Sequence, residues 1–180
     1  MAALAAAEPR VIAAAPYVNA QGMLTYDGAV RGALIRGILP EREEKVAEFG
    51  RHMKSGTPAA LRPGDFGIVL GAELARALAV MVDDKVTLIA PQGQVTPAGI
   101  VPRLKQFRVV GIFDIGMFEY DSGLALIHLE DAQKLYRMAD KVSGVRLKLR
   151  DLFQSRQVAM ALLTKLGSDV YISDWTRSHA

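Results

Sequence analysis

Apolar and polar positions in the first part of the chain are arranged in runs that are typical of β-strands. Three such runs cover Val11 to Val18, Gly22 to Thr25 and Ala29 to Ile38. Short polar stretches separate them, and the dipeptide Asp27-Gly28 is a strong tight-turn signal between two strands. The pattern therefore predicts a β-hairpin whose turn lies at Asp27 and Gly28.

The apolar spacing becomes helical after Pro40. A proline at the start, acidic residues in the first turn and apolar residues at Val46, Phe49 and Met53 predict an amphipathic helix that runs to residue 53. Residues 54–65 are typical of a loop. The first structural unit is therefore expected to be a hairpin followed by one helix.

Residues 66–90 predict a strand, a helix and a second strand. A short apolar run passes through Gly71 into a helix, on which Leu74, Leu78 and Met81 are expected to face a core. Residues 84–90 then return to a strand pattern. The segment is therefore interpreted as a small β-α-β element.

The second half of the chain repeats strands and helices without a strict βαβ order. Strand patterns cover residues 107–113, 124–129, 144–149 and 169–175, and the third of these alternates as a strand with one wet face. Helical patterns cover residues 130–138, with Leu135 and Met138 directed inward, and residues 155–166, which Gly167 is expected to stop. Residues 116–123 are interpreted as a loop. This order predicts an α+β domain with mixed or antiparallel sheets and packed helices.

A long proline-punctuated segment, residues 91–106, joins two of the apolar strands. It is far longer than the roughly two to five residues of a common hairpin loop. Pro91, Pro97 and Pro102 restrict the unfolded chain and remove backbone donors, so the segment can stay extended without pairing indiscriminately. Apolar anchors and cations accompany them, namely Val95, Ile100, Val101, Arg103 and Lys105. We expect an exposed arm; the alternative is a long loop folded back over the core.

Composition removes several classes of function. The 22 Lys and Arg residues against 19 Asp and Glu residues give a formal charge of +3, which is a mixed surface and does not indicate a nucleic-acid partner. No run of about 18 apolar residues is present to span a bilayer. The opening Met1 to Ala7 is too short and uncharged for a secretory signal peptide. The absence of cysteine is compatible with an oxidising or a reducing compartment.

Catalytic and ligand-binding motifs are absent. The three histidines, His52, His128 and His179, have no metal-ligand spacing, and His128 lies in an apolar strand where a structural histidine is expected. Neither a nucleophile elbow nor a phosphate-binding loop occurs. We therefore predict no catalytic residue, no cofactor and no metal site.

Two acidic groups have a structural interpretation and a functional one. The acids of the first helix, Glu41, Glu43, Glu44 and Glu48, are expected to form a solvated face beside Lys45 and not an acid-base pair. Residues 118–121 are expected to form a packed loop, with a catalytic loop as the alternative.

Several segments, taken in order, resemble the periplasmic domain of the LolC/LolE family of lipoprotein-releasing ABC transporter permeases. They are APYVNAQGML, VRGALIRGI, GIVLGAELARAL, DKVTLIAPQGQVTPAGIVPRLKQFRVVGIF, GMFEYDSGLALIHLEDAQKLY and VSGVRLKLRDLF. The arm resembles the hook by which LolC-type permeases recruit the periplasmic carrier LolA. Since LolE-type domains lack that hook, the resemblance favours LolC or a combined LolC/LolE subunit. Asp83 stands where the family usually has glycine.

The resemblance implies where a partner would bind. Pro97 would lie near the tip of the hook and cations would flank its base; the implied partner-binding residues are Lys85, Gln94, Val95, Thr96, Pro97, Ala98, Gly99, Ile100, Val101, Arg103 and Lys105. The apolar tip would enter the lipid-binding mouth of LolA, while the cations would meet carboxylates on that carrier.

The resemblance also implies an assembly and a domain plan. The full-length protein would be a bacterial inner-membrane permease with this domain in the periplasm, bound to the LolD ATPase and a partner LolC or LolE permease, and it would move lipoproteins. Membrane contact would come only from helices outside this chain. Residues 1–180 would form one periplasmic domain with a MacB-like core, with residues 1–60 and 122–180 as a Porter-like subdomain and residues 61–121 as a Sabre-like subdomain that carries a protruding β-hairpin hook at 91–106.

Two other functions stay open on the sequence. One is a MacB-like efflux or mechanotransmission domain that engages a different periplasmic adaptor. The other, from a different class, is a stand-alone periplasmic enzyme that modifies lipids or glycans, which would require a concave polar site.

Overall fold

The order of elements in the computed structural model confirms a mixed α+β chain. The structure describes residues 10–149 and 155–166, with the backbone alone at residues 92–96, 100, 155–156 and 163–166. The strands are β1 Val11–Tyr26, β2 Ala29–Ile38, β3 Met53–Gly56, β4 Gly67–Gly71, β5 Lys85–Thr96, β6 Gly99–Phe113, β7 Leu124–His128 and β8 Gly144–Leu149. The α-helices are α1 Pro40–Ala47, α2 Ala72–Leu78, α3 Phe118–Gly123, α4 Leu129–Leu135 and α5 Ser155–Leu166. The strand expected at 169–175 and the stop at Gly167 lie outside the described residues.

The eight strands of the described residues belong to one sheet, and the pairings of six of them form a closed circuit. The order β2-β7-β4-β6-β5-β1 returns to its start because β1 also pairs with β2, while β8 joins β1 and β3 joins β6. The pairs β2–β7 and β4–β6 are parallel and the other pairs are antiparallel. The sheet is therefore mixed, as the sequence predicts. The strands of residues 61–121 pair with β1 and β7 in this same sheet, and the division into two subdomains stays a prediction.

The first hairpin has the predicted turn. Asp27 and Gly28 both have positive φ values, 48° and 86°, which is the backbone that a two-residue primed turn requires. The two runs expected before the turn are one continuous strand of 16 residues, which pairs with β2 from Tyr17 to Tyr26. Its first half pairs with β8, so one long strand connects two parts of the sheet.

The helix after Pro40 is shorter than predicted. It ends at Ala47, because Glu48 adopts a left-handed φ of 50°, and a 3-10 helix from Phe49 to His52 follows. Met53 is then the first residue of β3, so part of the predicted loop is a strand. The prediction of a solvated acidic face is also wrong at one position, since Glu43 is only 1% exposed.

Two other predictions fail because of local backbone conformation and hydrogen bonding. Leu74 and Leu78 of α2 are buried as expected, but Met81 is 70% exposed because the helix ends at Leu78 with Ala79 left-handed. Residues 118–123, predicted as a loop, form α3. The buried Asp121 of α3 accepts hydrogen bonds from the backbone N–H groups of Ile115 and Gly116.

The core consists of three clusters on defined faces of the sheet. The main cluster takes side chains from all six strands of the closed circuit together with α2 and α4, and Phe107 is fully buried in it. A second cluster around Phe113 covers the other face of β2, β4, β6 and β7. A third joins Val11 to Val158 and Leu162 of α5. No helix of the described residues is long and apolar enough to cross a membrane.

Candidate partner-binding arm

The arm is the distal part of the β5–β6 hairpin. Below it, the two strands pair regularly from Lys85 opposite Arg108 to Ala90 opposite Arg103. The ladder then resumes at the far end, with Gln94 opposite Val101, residue 95 opposite residue 100 and residue 96 opposite residue 99. Residues 91–102 therefore form a two-stranded ribbon that ends in a tight turn, whereas residues 103–106 of the predicted hook segment belong to the regular ladder below it.

A bulge separates the ribbon from the body of the sheet. Between the two paired regions, Pro91, Gln92 and Gly93 of β5 oppose the single residue Pro102 of β6. Neither proline has an N–H group to donate to a ladder. The prolines thus lie where the pairing is interrupted, and a bulge of this kind changes the direction of the strand that carries it.

The turn at the tip carries small, exposed residues. Pro97 and Ala98 form the turn, and Gly99 follows with a φ of 119°. Proline at the second position and glycine at the fourth are preferred in a type I turn. Pro97, Ala98 and Gly99 are exposed, and Val101 is 51% exposed. The side chains of Gln94, Val95, Thr96 and Ile100 lie outside what the structure describes.

The three predicted cations do not share one position. Lys85 alternates with the buried Val86 and lies exposed on the outward face of β5. Arg103 and Lys105 lie on the other face of the hairpin, opposite the buried Ala90 and Leu88. Lys105 is exposed, whereas Arg103 is half-buried and donates a hydrogen bond to the backbone of α4. Only Lys85 and Lys105 thus present their charge to solvent as the resemblance implies.

Register adds an apolar surface that the sequence analysis did not include. Met23, Ile89 and Leu104 are direct neighbours across β1, β5 and β6 on the outward face, and Leu104 is 59% exposed. A groove of about 450 Å³ beside this row is lined by uncharged residues, among them Met23, Leu34 and Pro91. The sequence places Leu104 on the face of β6 opposite to the buried Phe107. This alternation could have shown that Leu104 is exposed, but its neighbours Met23 and Ile89 follow only from the register of three strands.

The buried titratable groups serve the fold. His128, predicted as structural, accepts a hydrogen bond at Nδ1 from the Glu130 N–H and so caps α4, and burial lowers its pKa. Glu43 pairs with Arg146 across α1 and β8, and burial raises the pKa of Glu43 against the opposing effect of that arginine. Among the residues that the structure describes, no group of three or more His, Asp or Glu side chains is placed to hold a metal ion.

The arm and its root, which is the regular ladder of residues 85–90 with 103–108, are therefore a candidate surface for partner binding. An exposed turn, a proline-interrupted ribbon and an adjacent apolar row supply shape and apolar area, and exposed lysines supply charge. No nucleophile and base are placed together in the described part of this surface. The arrangement fits recognition of another macromolecule.

Comparison with known proteins agrees with this reading of the fold. Residues 1–165 match the family of MacB-like periplasmic core domains. The chain is 48% identical over 170 residues to the lipoprotein-releasing system transmembrane protein LolC of Neisseria meningitidis, covering 94% of this chain and 41% of that protein. LolC of Xylella fastidiosa is 44% identical over 178 residues, covering 99% of this chain and 43% of that protein. The chain thus spans about two fifths of the length of these relatives.

Two more distant comparisons concern a LolE protein and the fold. The chain is 26% identical over 170 residues to the lipoprotein-releasing system transmembrane protein LolE of Haemophilus influenzae, covering 93% of this chain and 40% of that protein. The periplasmic region of MacB from Actinobacillus actinomycetemcomitans superimposes with a TM-score of 0.60 at 14% identity, covering 91% of this chain and 72% of the MacB chain. The sequence is therefore LolC-like, and the fold is that of MacB-like periplasmic domains.

Proposed function

We propose that this chain, which belongs to the family of MacB-like periplasmic core domains, is the part of a lipoprotein-releasing permease that recruits a soluble carrier. The family and the LolC-like sequence imply a transporter component and not an enzyme. The proposed carrier is LolA, which would approach the arm and receive a lipoprotein that the full-length protein releases.

The observation that carries this proposal is the exposed ribbon at the end of the β5–β6 hairpin. A turn at Pro97 and Ala98 presents small side chains to solvent, beyond a bulge that separates them from the core. A ribbon that is already paired loses less conformational freedom on binding than a disordered loop would, and this lowers the cost of a transient contact. A narrow tip also suits insertion into an apolar mouth.

The charges near the root support a steered encounter. Lys85 and Lys105 are exposed, and the chain has a formal charge of +3. Exposed charges raise the association rate with an oppositely charged partner and have less effect on the lifetime of the complex. We therefore infer that the carrier presents carboxylates around its mouth.

The remaining features of the assembly belong to the full-length protein. By analogy with its relatives, we propose a bacterial inner-membrane permease with this domain in the periplasm, together with a LolD ATPase and a partner LolC or LolE permease. ATP hydrolysis would then take place on a separate subunit. The lipoprotein substrates would meet the arm only through the carrier.

The experiment that tests the proposal compares the chain with a variant in which residues 92–101 are replaced by Asn-Gly. Surface plasmon resonance should show saturable LolA binding to the parent and none to the variant. Melting within a few degrees of the parent would establish that the variant is folded, since shortening a loop costs little. Equal LolA binding by both proteins would refute the role of the arm. Binding to a MacB-type adaptor in place of LolA would support the efflux alternative.

A further inference from the structure

Arg103 occupies the last paired position before the bulge. It lies opposite Ala90, which is fully buried, so its side chain starts on the face of the hairpin that contacts the core. The family resemblance implies that this residue is one of the cations that meet a partner. In the structure its guanidinium turns back toward the body of the domain.

The partner of Arg103 is the end of a helix. Its Nη1 donates a hydrogen bond of 3.0 Å to the carbonyl oxygen of Leu135, the last residue of α4. The last carbonyls of a helix have no partner within the helix, and a cation is favoured there by the helix dipole. The Nε of Arg103 is buried without a hydrogen-bond partner among the described residues, which shows how far the guanidinium is withdrawn from solvent.

That helix end is itself fixed to the sheet. The hydroxyl of Tyr136, the residue after α4, donates a hydrogen bond of 2.8 Å to the carbonyl oxygen of Gln21 in β1. Burial raises the pKa of Tyr136 to about 12, so the hydroxyl keeps its proton at neutral pH. Arg103 therefore connects the root of the arm to a rigid part of the domain.

The ladder alone does not set the direction of the arm. Three residues of β5 oppose one residue of β6 at the bulge, and Pro91 and Pro102 cannot donate to a ladder there. Beyond it the ladder of the described residues has three pairs, from Gln94 opposite Val101 to residue 96 opposite Gly99. A further contact at the root of the arm is needed to fix the angle between the ribbon and the sheet.

We propose that Arg103 is a positioning residue, which fixes the angle at which the arm leaves the sheet by binding the end of α4. Its effect on partner binding then comes through the arm and not through contact with the partner. A lysine would not replace it, because its donor nitrogen lies one atom nearer the backbone than the Nη1 that reaches the Leu135 carbonyl oxygen. The consequence for binding rests on the proposed function, but the effect on the arm does not.

The test measures the arm directly. Because the chain has no cysteine, Ala98→Cys and Ala77→Cys place two spin labels unambiguously, one at the tip and one on the exposed side of α2. Electron paramagnetic resonance then gives the distribution of tip-to-body distances. We expect Arg103→Met to widen this distribution about twofold, since only the root contact has been removed. Lys85→Met, which removes an exposed cation from the outward face of the same hairpin, should leave it unchanged.

Arg103→Lys is a second variant, which is used in case Arg103→Met does not fold. It keeps the charge and the aliphatic stem, and it should also widen the distribution. If either folded Arg103 variant gives the distribution of the parent, the positioning role is refuted. Circular dichroism melting identifies which variants are folded, and the lysine variant decides the question if the methionine variant is not.

Binding to LolA separates this inference from the proposed function. Arg103→Met should lower the association rate about three- to tenfold, because fewer molecules hold the arm at the competent angle, with an unchanged dependence on salt. A reduced salt dependence would instead mean that Arg103 meets the partner, which overturns the inference. A wider distance distribution together with no LolA binding by the parent would support the positioning role and overturn only the proposed carrier.

Discussion

The ammonium nitrogen of Lys105 lies 4.2 Å from the centroid of the Phe66 ring, so this cation is held at the root of the arm while it stays exposed. Phe66 in turn packs edge-on against the buried Phe107, at 5.5 Å between centroids. A cation over an aromatic face keeps its charge and loses some of its freedom. Lys105 is therefore a charge with a defined position beside the proposed binding surface.

Reversal of this charge should slow the encounter with the carrier. We expect Lys105→Glu to reduce the LolA association rate about three- to tenfold at low salt, and to do so less at high salt, because exposed charges are screened. Lys54→Glu, on β3 near the opposite end of β6, is the matched control with the same change in net charge. Stopped-flow measurement across a salt series checks this. An equal effect of both variants would show that net charge alone is responsible.

Asp83 adopts a backbone conformation that favours glycine. Its φ is 80°, and its N–H donates to the Val109 carbonyl at 2.8 Å, which fixes the turn before β5. A side chain there costs free energy that glycine avoids. We expect Asp83→Gly to raise the free energy of unfolding by about 0.5–1 kcal/mol in urea titration. Asp83→Ala should lower it, and a stabilising alanine would contradict this account of the turn.

The cap of α4 depends on an unprotonated His128. Burial holds its pKa below the ordinary 6.5, and its Nδ1 must be free of a proton to accept from Glu130 N–H. A depressed pKa gives a stabilisation that is complete above pH 6.5 and is lost as the pH falls through the folded value. His128→Asn, whose amide oxygen caps at any pH, should therefore gain on the parent by up to about 1 kcal/mol between pH 7 and pH 5. If the free energies of unfolding of the two proteins change equally with pH, the proposed cap is refuted.

The contribution of Glu43 to stability should depend on pH in the opposite direction. Burial raises its pKa above the ordinary 4.5, so the stabilisation is complete below pH 4.5 and is lost as the pH rises through the folded value. We expect the free energy of unfolding of the parent, minus that of Glu43→Gln, to fall between pH 4 and pH 7. Urea titration at each pH measures it. A difference that grows with pH would mean that pairing with Arg146 outweighs the desolvation of the carboxylate.

Local chemistry was enough to predict much of the sheet. Asp27-Gly28 is itself a turn signal, and runs of apolar and strand-forming residues identify β2 and β7 without knowledge of their neighbours. The arm was also visible in advance, because three prolines in a long connection are a local feature. These elements are encoded by residues close together in sequence.

The remaining differences depend on side-chain contacts, some of them between residues far apart in sequence, that the apolar pattern does not show. Asp121 stabilises the start of α3 by binding the Ile115 and Gly116 N–H groups, which converts an apparent loop into a helix. Glu43 is buried because Arg146 reaches it from β8, more than 100 positions away. The inward direction of Arg103 follows from its register opposite Ala90 and from the end of α4. Residue pattern alone contains none of these relationships.

Site-specific photo-crosslinking to LolA shows whether the tip of the arm contacts the carrier. A photo-reactive amino acid replaces Ala98 at the exposed tip of the arm in one protein and Ala77 on α2 in another, and each is irradiated with purified LolA. We expect a crosslinked complex from position 98, which an excess of unlabelled parent chain suppresses, and no complex from position 77. Binding of LolA by the position 98 protein without a crosslink there, or with one at position 77, would contradict the assignment of the arm as the carrier-binding site.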